Sequence, residues 1–147
     1  MANDTTISGV YPCYKNQFQF GVDKTDLKTI ADMESFSVSI DNGIEEWNPF
    51  ENEGWVNRLM TAKSISISVT GKRNVGDAGN DAIASMFMKN GRDAQGHFQW
   101  TFPDGSTVLF ENAVVSVTNI GTGDSTGVAP LEYEIMSNGK PTYTPAA

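Results

Sequence analysis

The sequence predicts a mostly β protein: two packed antiparallel sheets, arranged as a sandwich or barrel, with one flanking α-helix near residues 78–90. Several segments alternate apolar and polar residues with a period of two, which is typical of half-buried strands. The chain has 14 glycines and an apolar content of 39%, as expected for strands joined by many turns. A single domain spanning residues 1–147 accommodates about eight strands.

The first third of the chain has the weakest pattern. Residues 10–14 and 18–22 could each form a short strand, but Pro12 restricts the first of these to an edge position. Residues 24–32 are polar and predict either a turn or a short, weak helical segment. We therefore expect an N-terminal arm over about residues 1–34, whose order depends on assembly.

Two segments alternate with a small hydroxyl residue at every second position. Residues 35–40 predict a strand that ends in a tight turn at Asp41-Asn42-Gly43, with residues 44–47 returning beside it. Residues 64–70 repeat the pattern. The hydroxyl residues of both strands define one candidate polar face: Ser35, Ser37, Ser39, Ser64, Ser66, Ser68 and Thr70. This face is either an ordinary solvated surface or a specialised one, since it lacks the Lys, Arg and Glu that usually protect exposed strands.

A long loop over about residues 47–60 separates these strands. Its aromatic residues lie among polar ones, so the loop either presents them to a partner or folds back and buries them over the barrel mouth. The candidate contact residues are Trp47, Pro49, Phe50, Glu53, Trp55 and Arg58.

The segment 82–90 has the spacing of an amphipathic helix, given by Ile83, Met86 and Phe87. Asp77 or Asn80 is expected to cap its start, and Asn90-Gly91 to end it in a left-handed conformation.

The clearest hairpin spans His97–Phe110. Pro103-Asp104-Gly105 fits a type I turn with Gly105 in the bulge position, which places Phe98 opposite Phe110 and Trp100 opposite Val108. Further strands are predicted over residues 114–119 and 131–136, followed by an extended tail.

Charge and composition exclude several functions. Eighteen acidic against ten basic residues give a net charge of -8, which argues against binding DNA or anionic membranes through a basic patch. The only histidine, His97, and the only cysteine, Cys13, cannot form a zinc cluster, and Cys13 is expected to pack in the interior. No catalytic, cofactor-binding or metal-binding residues are predicted. A carboxylate pair such as Glu132 and Glu134 leaves glycoside hydrolysis as an open alternative, because the two acids of a glycosidase can come from separate strands. No signal peptide or membrane-spanning run is recognised, so synthesis in a cytoplasm without membrane insertion is expected.

A set of short motifs, in this order and spacing, resembles a known family. They are Glu45-Glu46-Trp47-Asn48-Pro49, Glu53-Gly54-Trp55, residues 58–61, residues 71–77, Gly79-Asn80-Asp81, residues 89–93, Phe98, residues 136–141 and the Thr-Pro-Ala-Ala ending. Together they make the chain similar to major tail proteins (tail tube proteins) of long-tailed bacteriophages of Gram-positive hosts. The resemblance covers most of residues 35–147.

This resemblance implies a structural virion protein without enzymatic activity or cofactors. Subunits of the family form hexameric rings that stack into a tail tube, a conduit for DNA delivery. The loop 47–60 would contact the next ring, the hydroxyl face would line the lumen, and Tyr11, Phe18 and Phe20 of the arm could add contacts between subunits. Implied partners are further copies of the chain, the tape-measure, tail-terminator and tail-tip proteins, and DNA in non-specific transit. The implied location is the virion tail, after synthesis in the host bacterial cytoplasm.

The alternative function is a monomeric β-sandwich binding module, for example for carbohydrate, with Trp47 and Trp55 as a stacking platform. A glycosidase-like enzyme is the third hypothesis.

Overall fold

A computed structural model describes residues 8–146. It confirms the mostly β prediction, with eight antiparallel strands and, in the described part of the chain, one α-helix, α1 (Ala78–Ala84). The strands are β1 (Gln17–Gly21), β2 (Lys28–Thr29), β3 (Met33–Trp47), β4 (Asn57–Lys72), β5 (Gln95–Thr101), β6 (Thr107–Ile120), β7 (Pro130–Met136) and β8 (Thr142–Thr144). They form one sheet in the order β2-β1-β5-β6-β7-β4-β3, with β8 paired to β6.

The sheet closes over a single core, so the sandwich-like packing comes from one continuous sheet and not from two separate ones. Phe36 on the last strand, β3, meets Phe18 of β1 at a ring distance of 5.0 Å and Trp100 of β5 at 5.5 Å. Alternating residues of the strands point inward, because burying one apolar face stabilises a twisted sheet. In β7 this places Leu131, Tyr133 and Ile135 in the core.

Part of the predicted N-terminal arm, residues 17–21, forms strand β1 of the sheet. Phe18 and Phe20 are buried in the core, and β1 pairs with β5 along its whole length. They are therefore not free to make contacts between subunits. Tyr11 is exposed, whereas residues 1–7 of the predicted arm lie outside the described residues. Cys13 is also exposed, contrary to the predicted packing role.

Strands β3 and β4 are far longer than predicted. The Asp41-Asn42-Gly43 segment does not turn; β3 continues through it to Trp47. A bulge between Gly43 and Ile44 takes up one extra residue of β4, since Gly43 pairs with Ala62 and Ile44 with Met60. The true connection between the strands is therefore residues 48–56, shorter than the predicted loop 47–60.

The helix is shorter than predicted and ends in a 3₁₀ turn over Ser85–Met88. Asp77 caps it by accepting a hydrogen bond from the Asn80 backbone N–H at 3.0 Å. Ile83 and Met86 are buried as predicted, but Phe87 is exposed because the 3₁₀ turn rotates it away from the core.

The side chain of Asn80 joins three segments of the chain. It is fully buried, and its Nδ2 donates to the carbonyl oxygens of Ala31 (3.2 Å) and Lys72 (2.9 Å). Its Oδ1 accepts from Arg73 Nη1 (2.9 Å) and from the Asn74 backbone N–H (3.0 Å). Every polar position of this amide is thus used, and it fixes α1 against the end of β4 and the start of β3.

The β5–β6 hairpin has the predicted register. Phe98 lies opposite Phe110, Trp100 lies opposite Val108, and Gly105 has a φ of 94°. Asp104 accepts hydrogen bonds from the hydroxyl and the backbone N–H of Ser106, and these bonds lower the pKa of its carboxyl group. The turn is therefore tied by its own side chains.

Candidate functional site

Residues 40–65 form a two-stranded ribbon that projects from the sheet. Strand β4 pairs with β7 only from Ser66, opposite Met136, to Lys72. From Ser64 back to Asn57 it pairs, among the described residues, with β3 alone. The ribbon therefore has water on both faces, in contrast to the rest of the sheet.

The ribbon carries apolar side chains that its own subunit does not bury. Ile40 opposite Ile65 and Ile44 opposite Met60 continue the core face of the sheet beyond the core itself. Its exposed large apolar residues are Ile40, Ile44, Trp47, Phe50, Trp55, Leu59 and Met60. Clusters of exposed large apolar side chains mark interaction surfaces, so the ribbon is a candidate for one.

The tip of the ribbon, residues 48–56, is ordered by its own hydrogen bonds. The Trp55 backbone N–H donates to the Asn52 carbonyl at 3.0 Å, and Asn48 Nδ2 donates to the Gly54 carbonyl at 3.1 Å. These bonds hold the loop in a shape that leaves Trp55 79% exposed and Phe50 fully exposed. The tip thus presents two aromatic rings to solvent and does not fold them back over the core.

The ribbon is also acidic. It has Glu45, Glu46, Glu51 and Glu53 near the tip against one base there, Arg58, whose Nε pairs with Glu46 Oε2.

The predicted contact residues fall into two groups. Phe50, Glu53 and Trp55 lie together at the tip, where Pro49 precedes a 3₁₀ turn. Trp47 and Arg58 lie closer to the base of the ribbon, on opposite faces. Their pairs, Trp47–Asn57 and Glu46–Arg58, are adjacent along the strands, and adjacent pairs point to opposite faces of a sheet.

The predicted hydroxyl residues do share one face. The register pairs Ser35 with Thr70, Ser37 with Ser68 and Ser39 with Ser66. Ser64 lies further out, opposite Asp41 at the base of the ribbon. The structure thus brings the residues of the two strands into a single surface, which we call the hydroxyl face.

The hydroxyl face continues across β7 and β6, beyond the two strands for which it was predicted. Glu132 lies opposite Thr70, and Glu134 lies between Ser68 and Ser116. Glu132 accepts a hydrogen bond from Asn119 Nδ2 at 3.1 Å. The strict alternation of residues 131–136 was the signal for these positions, since it places both carboxylates on the side away from the core. The face is consequently acidic as well as hydroxylated.

Comparison with known proteins identifies the fold. No protein-family model matches the chain, and no curated protein matches it. A chain in the tail of an empty gene transfer agent (GTA) particle, determined with helical refinement and C6 symmetry, has a TM-score of 0.71 at 22% identity, covering 92% of this chain and 100% of that one. A chain of the sheath–tube complex of an extracellular contractile injection system (PVC) has a TM-score of 0.62 at 16% identity, covering 90% of each chain.

A chain of the sheath/tube terminator of the same kind of injection system has a TM-score of 0.65 at 15% identity, covering 95% of this chain and 99% of that one. The protein therefore shares, over nearly its whole length, the fold of components of tails and injection systems.

Within residues 8–146, no group of three or more His, Cys, Asp or Glu side chains is arranged to hold a metal ion. No helix of these residues is long and apolar enough to cross a membrane. His97 is half-buried at the start of the β5–β6 hairpin, where its Nδ1 accepts a hydrogen bond from the Asn112 backbone N–H at 3.4 Å.

Proposed function

We propose that this chain is a tail tube subunit, a structural protein without enzymatic activity, whose copies form hexameric rings that stack into a conduit for DNA. The observation that carries the proposal is the full-length likeness to a chain in the tail of a gene transfer agent particle solved with C6 symmetry. Likeness to a chain of a sheath–tube complex supports the same role.

The ribbon supports the stacking part of the proposal. The ribbon exposes apolar residues on both faces, and burying them against other copies of the chain would stabilise the assembly. Trp47, Phe50 and Trp55 are the proposed anchors, since aromatic residues supply much of the energy of protein interfaces. Pro49, Glu53 and Arg58 complete the proposed ring-stacking segment.

The hydroxyl face supports the conduit part. We assign it to the lumen, with Ser37, Ser68 and Glu134 near its centre. The paired positions of this face carry hydroxyl groups and carboxylates. Carboxylates repel DNA phosphates, and hydroxyl groups attract them only weakly. DNA could therefore pass without being held.

The remaining partners follow from the same role. A tube of defined length needs a tape-measure protein, a terminator at one end and a tip at the other, and we propose these three as partners. The proposed location is the virion tail, after synthesis in the host bacterial cytoplasm.

Electron microscopy of the concentrated, purified protein tests the proposal. Rings or tubes are expected, and a reconstruction should place Ser37 and Ser68 on the lumen wall. Trp55→Ala should reduce tube yield without unfolding the subunit, whereas Trp55→Phe, which keeps an aromatic ring, should retain most of the yield.

A protein that stays monomeric at every concentration and binds glycans would overturn the proposal. Loss of that binding in Trp55→Ala would then support the alternative of a carbohydrate-binding module.

A further inference from the structure

An apolar groove of about 580 Å³ lies at the base of the ribbon. Its walls come from β4, β6, β8 and the segment between β7 and β8. The lining residues used here are Lys63, Ile65, Val108, Lys140, Pro141 and Tyr143. Apolar concave surfaces of this size accommodate large side chains.

The groove is built by contacts between elements far apart in sequence. The Ser137 backbone N–H donates to the Ile65 carbonyl at 2.9 Å, and the Ile65 N–H donates to Ser137 Oγ at 3.0 Å. On the other side, Tyr143 of β8 lies opposite Val108 of β6. Since both walls are fixed by backbone pairing, the groove exists before any occupant arrives, which lowers the cost of binding.

The groove is locally basic in an acidic protein. Lys63 and Lys140 line it, and none of the described lining residues carries a carboxylate. Lys63 Nζ donates to the neutral Asn42 side chain at 2.7 Å. Within residues 8–146 neither lysine takes part in a recorded ion pair. Both cations are thus available to an acidic partner.

The ribbon tip has the complementary character. It presents Phe50 and Trp55 with Glu51 and Glu53 beside them, and neither glutamate has a recorded ion pair in the described part of the chain. A copy cannot fill its own groove, because the tip is separated from Ile65 by eight residues of extended strand, roughly 25–30 Å. The matching occupant is therefore the tip of another copy.

We infer that the ribbon tip of one subunit docks into the groove at the ribbon base of a second subunit. An aromatic ring of the tip enters between Ile65 and Tyr143, and Glu51 and Glu53 face Lys63 and Lys140. The two surfaces differ, so the contact is head-to-tail, and between stacked rings it repeats along the tube. This inference rests on the proposed tube function and names the surface that receives the tip.

Disulfide trapping tests the contact directly. The variant Phe50→Cys with Tyr143→Cys, in a Cys13→Ser background, is oxidised with glutathione disulfide. Because every subunit carries both cysteines, a ladder of covalent multimers is expected on a non-reducing gel. The control pair Phe50→Cys with Val22→Cys, where Val22 is equally accessible but outside the groove, should give no ladder.

Charge reversal tests the electrostatic part. Lys63→Glu with Lys140→Glu should raise the protein concentration needed for tubes by about tenfold or more, and so should Glu51→Lys with Glu53→Lys. Combining the four changes should restore assembly to within about threefold of the parent, because the pairs are re-formed with opposite sign. Lys89→Glu with Arg92→Glu, two exposed cations elsewhere, is the control.

The outcomes separate this inference from the function on which it rests. Tubes of the parent protein without a ladder, or without rescue by the combined variant, would refute tip-to-groove docking and leave the tube function standing. A ladder from a protein that never forms rings would support the docking and refute the hexameric tube. Absence of both would refute both.

Discussion

Replacing Asn80 with alanine should destabilise the subunit strongly, although the side chain that is lost is small and polar. The amide is fully buried and makes four hydrogen bonds. In Asn80→Ala the carbonyls of Ala31 and Lys72 and the N–H of Asn74 lose their side-chain partner in a partly buried setting. Arg73 loses less, because it still binds Asp81 Oδ1 at 2.8 Å.

The expected cost follows from these losses. Each of the three backbone groups left without its partner costs about 1 kcal/mol, so the free energy of unfolding should fall by about 3 kcal/mol. For a domain of this size that corresponds to a Tm lower by roughly 6–12 °C. This is a large share of the stability of a typical domain.

Urea denaturation followed by far-ultraviolet circular dichroism measures the change. Asn138→Ala is the matched control, since exposed Asn138 makes one recorded hydrogen bond, to the Asn112 carbonyl at 3.2 Å. It should cost less than about 0.5 kcal/mol. A loss below about 1 kcal/mol in Asn80→Ala would refute the argument, because it would mean that water replaces the amide at little cost.

Two further predictions concern the core and the β5–β6 turn. Ile135→Ala should lower the free energy of unfolding by about 2–5 kcal/mol, because it leaves a cavity at a fully buried site. Ile44→Ala on the exposed ribbon should lower it by at most about 0.5 kcal/mol. Equal losses in urea denaturation would contradict the conclusion that the ribbon side chains lie outside the core. The lowered pKa of Asp104 means that its bonds stabilise the fold above the unfolded pKa, about 3.9, and that this stabilisation is lost as pH falls through the lower folded value. Asp104→Asn should therefore flatten the fall of stability below about pH 4, and an unchanged slope in acid-dependent urea denaturation would exclude this role.

The parts of the fold that local chemistry determines were predictable from the sequence. Pro103-Asp104-Gly105 sets the loop length, and the loop length sets which residues face each other, so the register of Phe98 and Phe110 followed. The hydroxyl face followed in the same way, because alternation alone determines which side of a strand a residue occupies. The position of Asp77 before the helix made it one of two predicted caps, with Asn80 as the other, and the structure assigns the cap to Asp77.

Features that depend on distant partners were missed. The Asp41-Asn42-Gly43 sequence favours a turn locally, but pairing with residues 62–64 keeps it extended, and Gly43 serves instead to let Ala62 approach closely. Phe18 and Phe20 resembled a mobile arm because the strand that buries them, β5, lies almost eighty residues later. The groove could not be predicted from the sequence either, because its walls come from segments that are far apart in the chain.

The contrast between the ribbon and the sheet implies that backbone amides exchange with solvent on two time scales within one subunit. Amide groups of β7 are hydrogen-bonded on both sides and covered by the core, so they should exchange with deuterium only when the whole domain unfolds. Those of β3 from Asp41 to Trp47 depend on one partner strand in water and can open locally. The rate of deuterium uptake by this one segment would therefore report on assembly, because it falls only when a neighbouring molecule covers the ribbon.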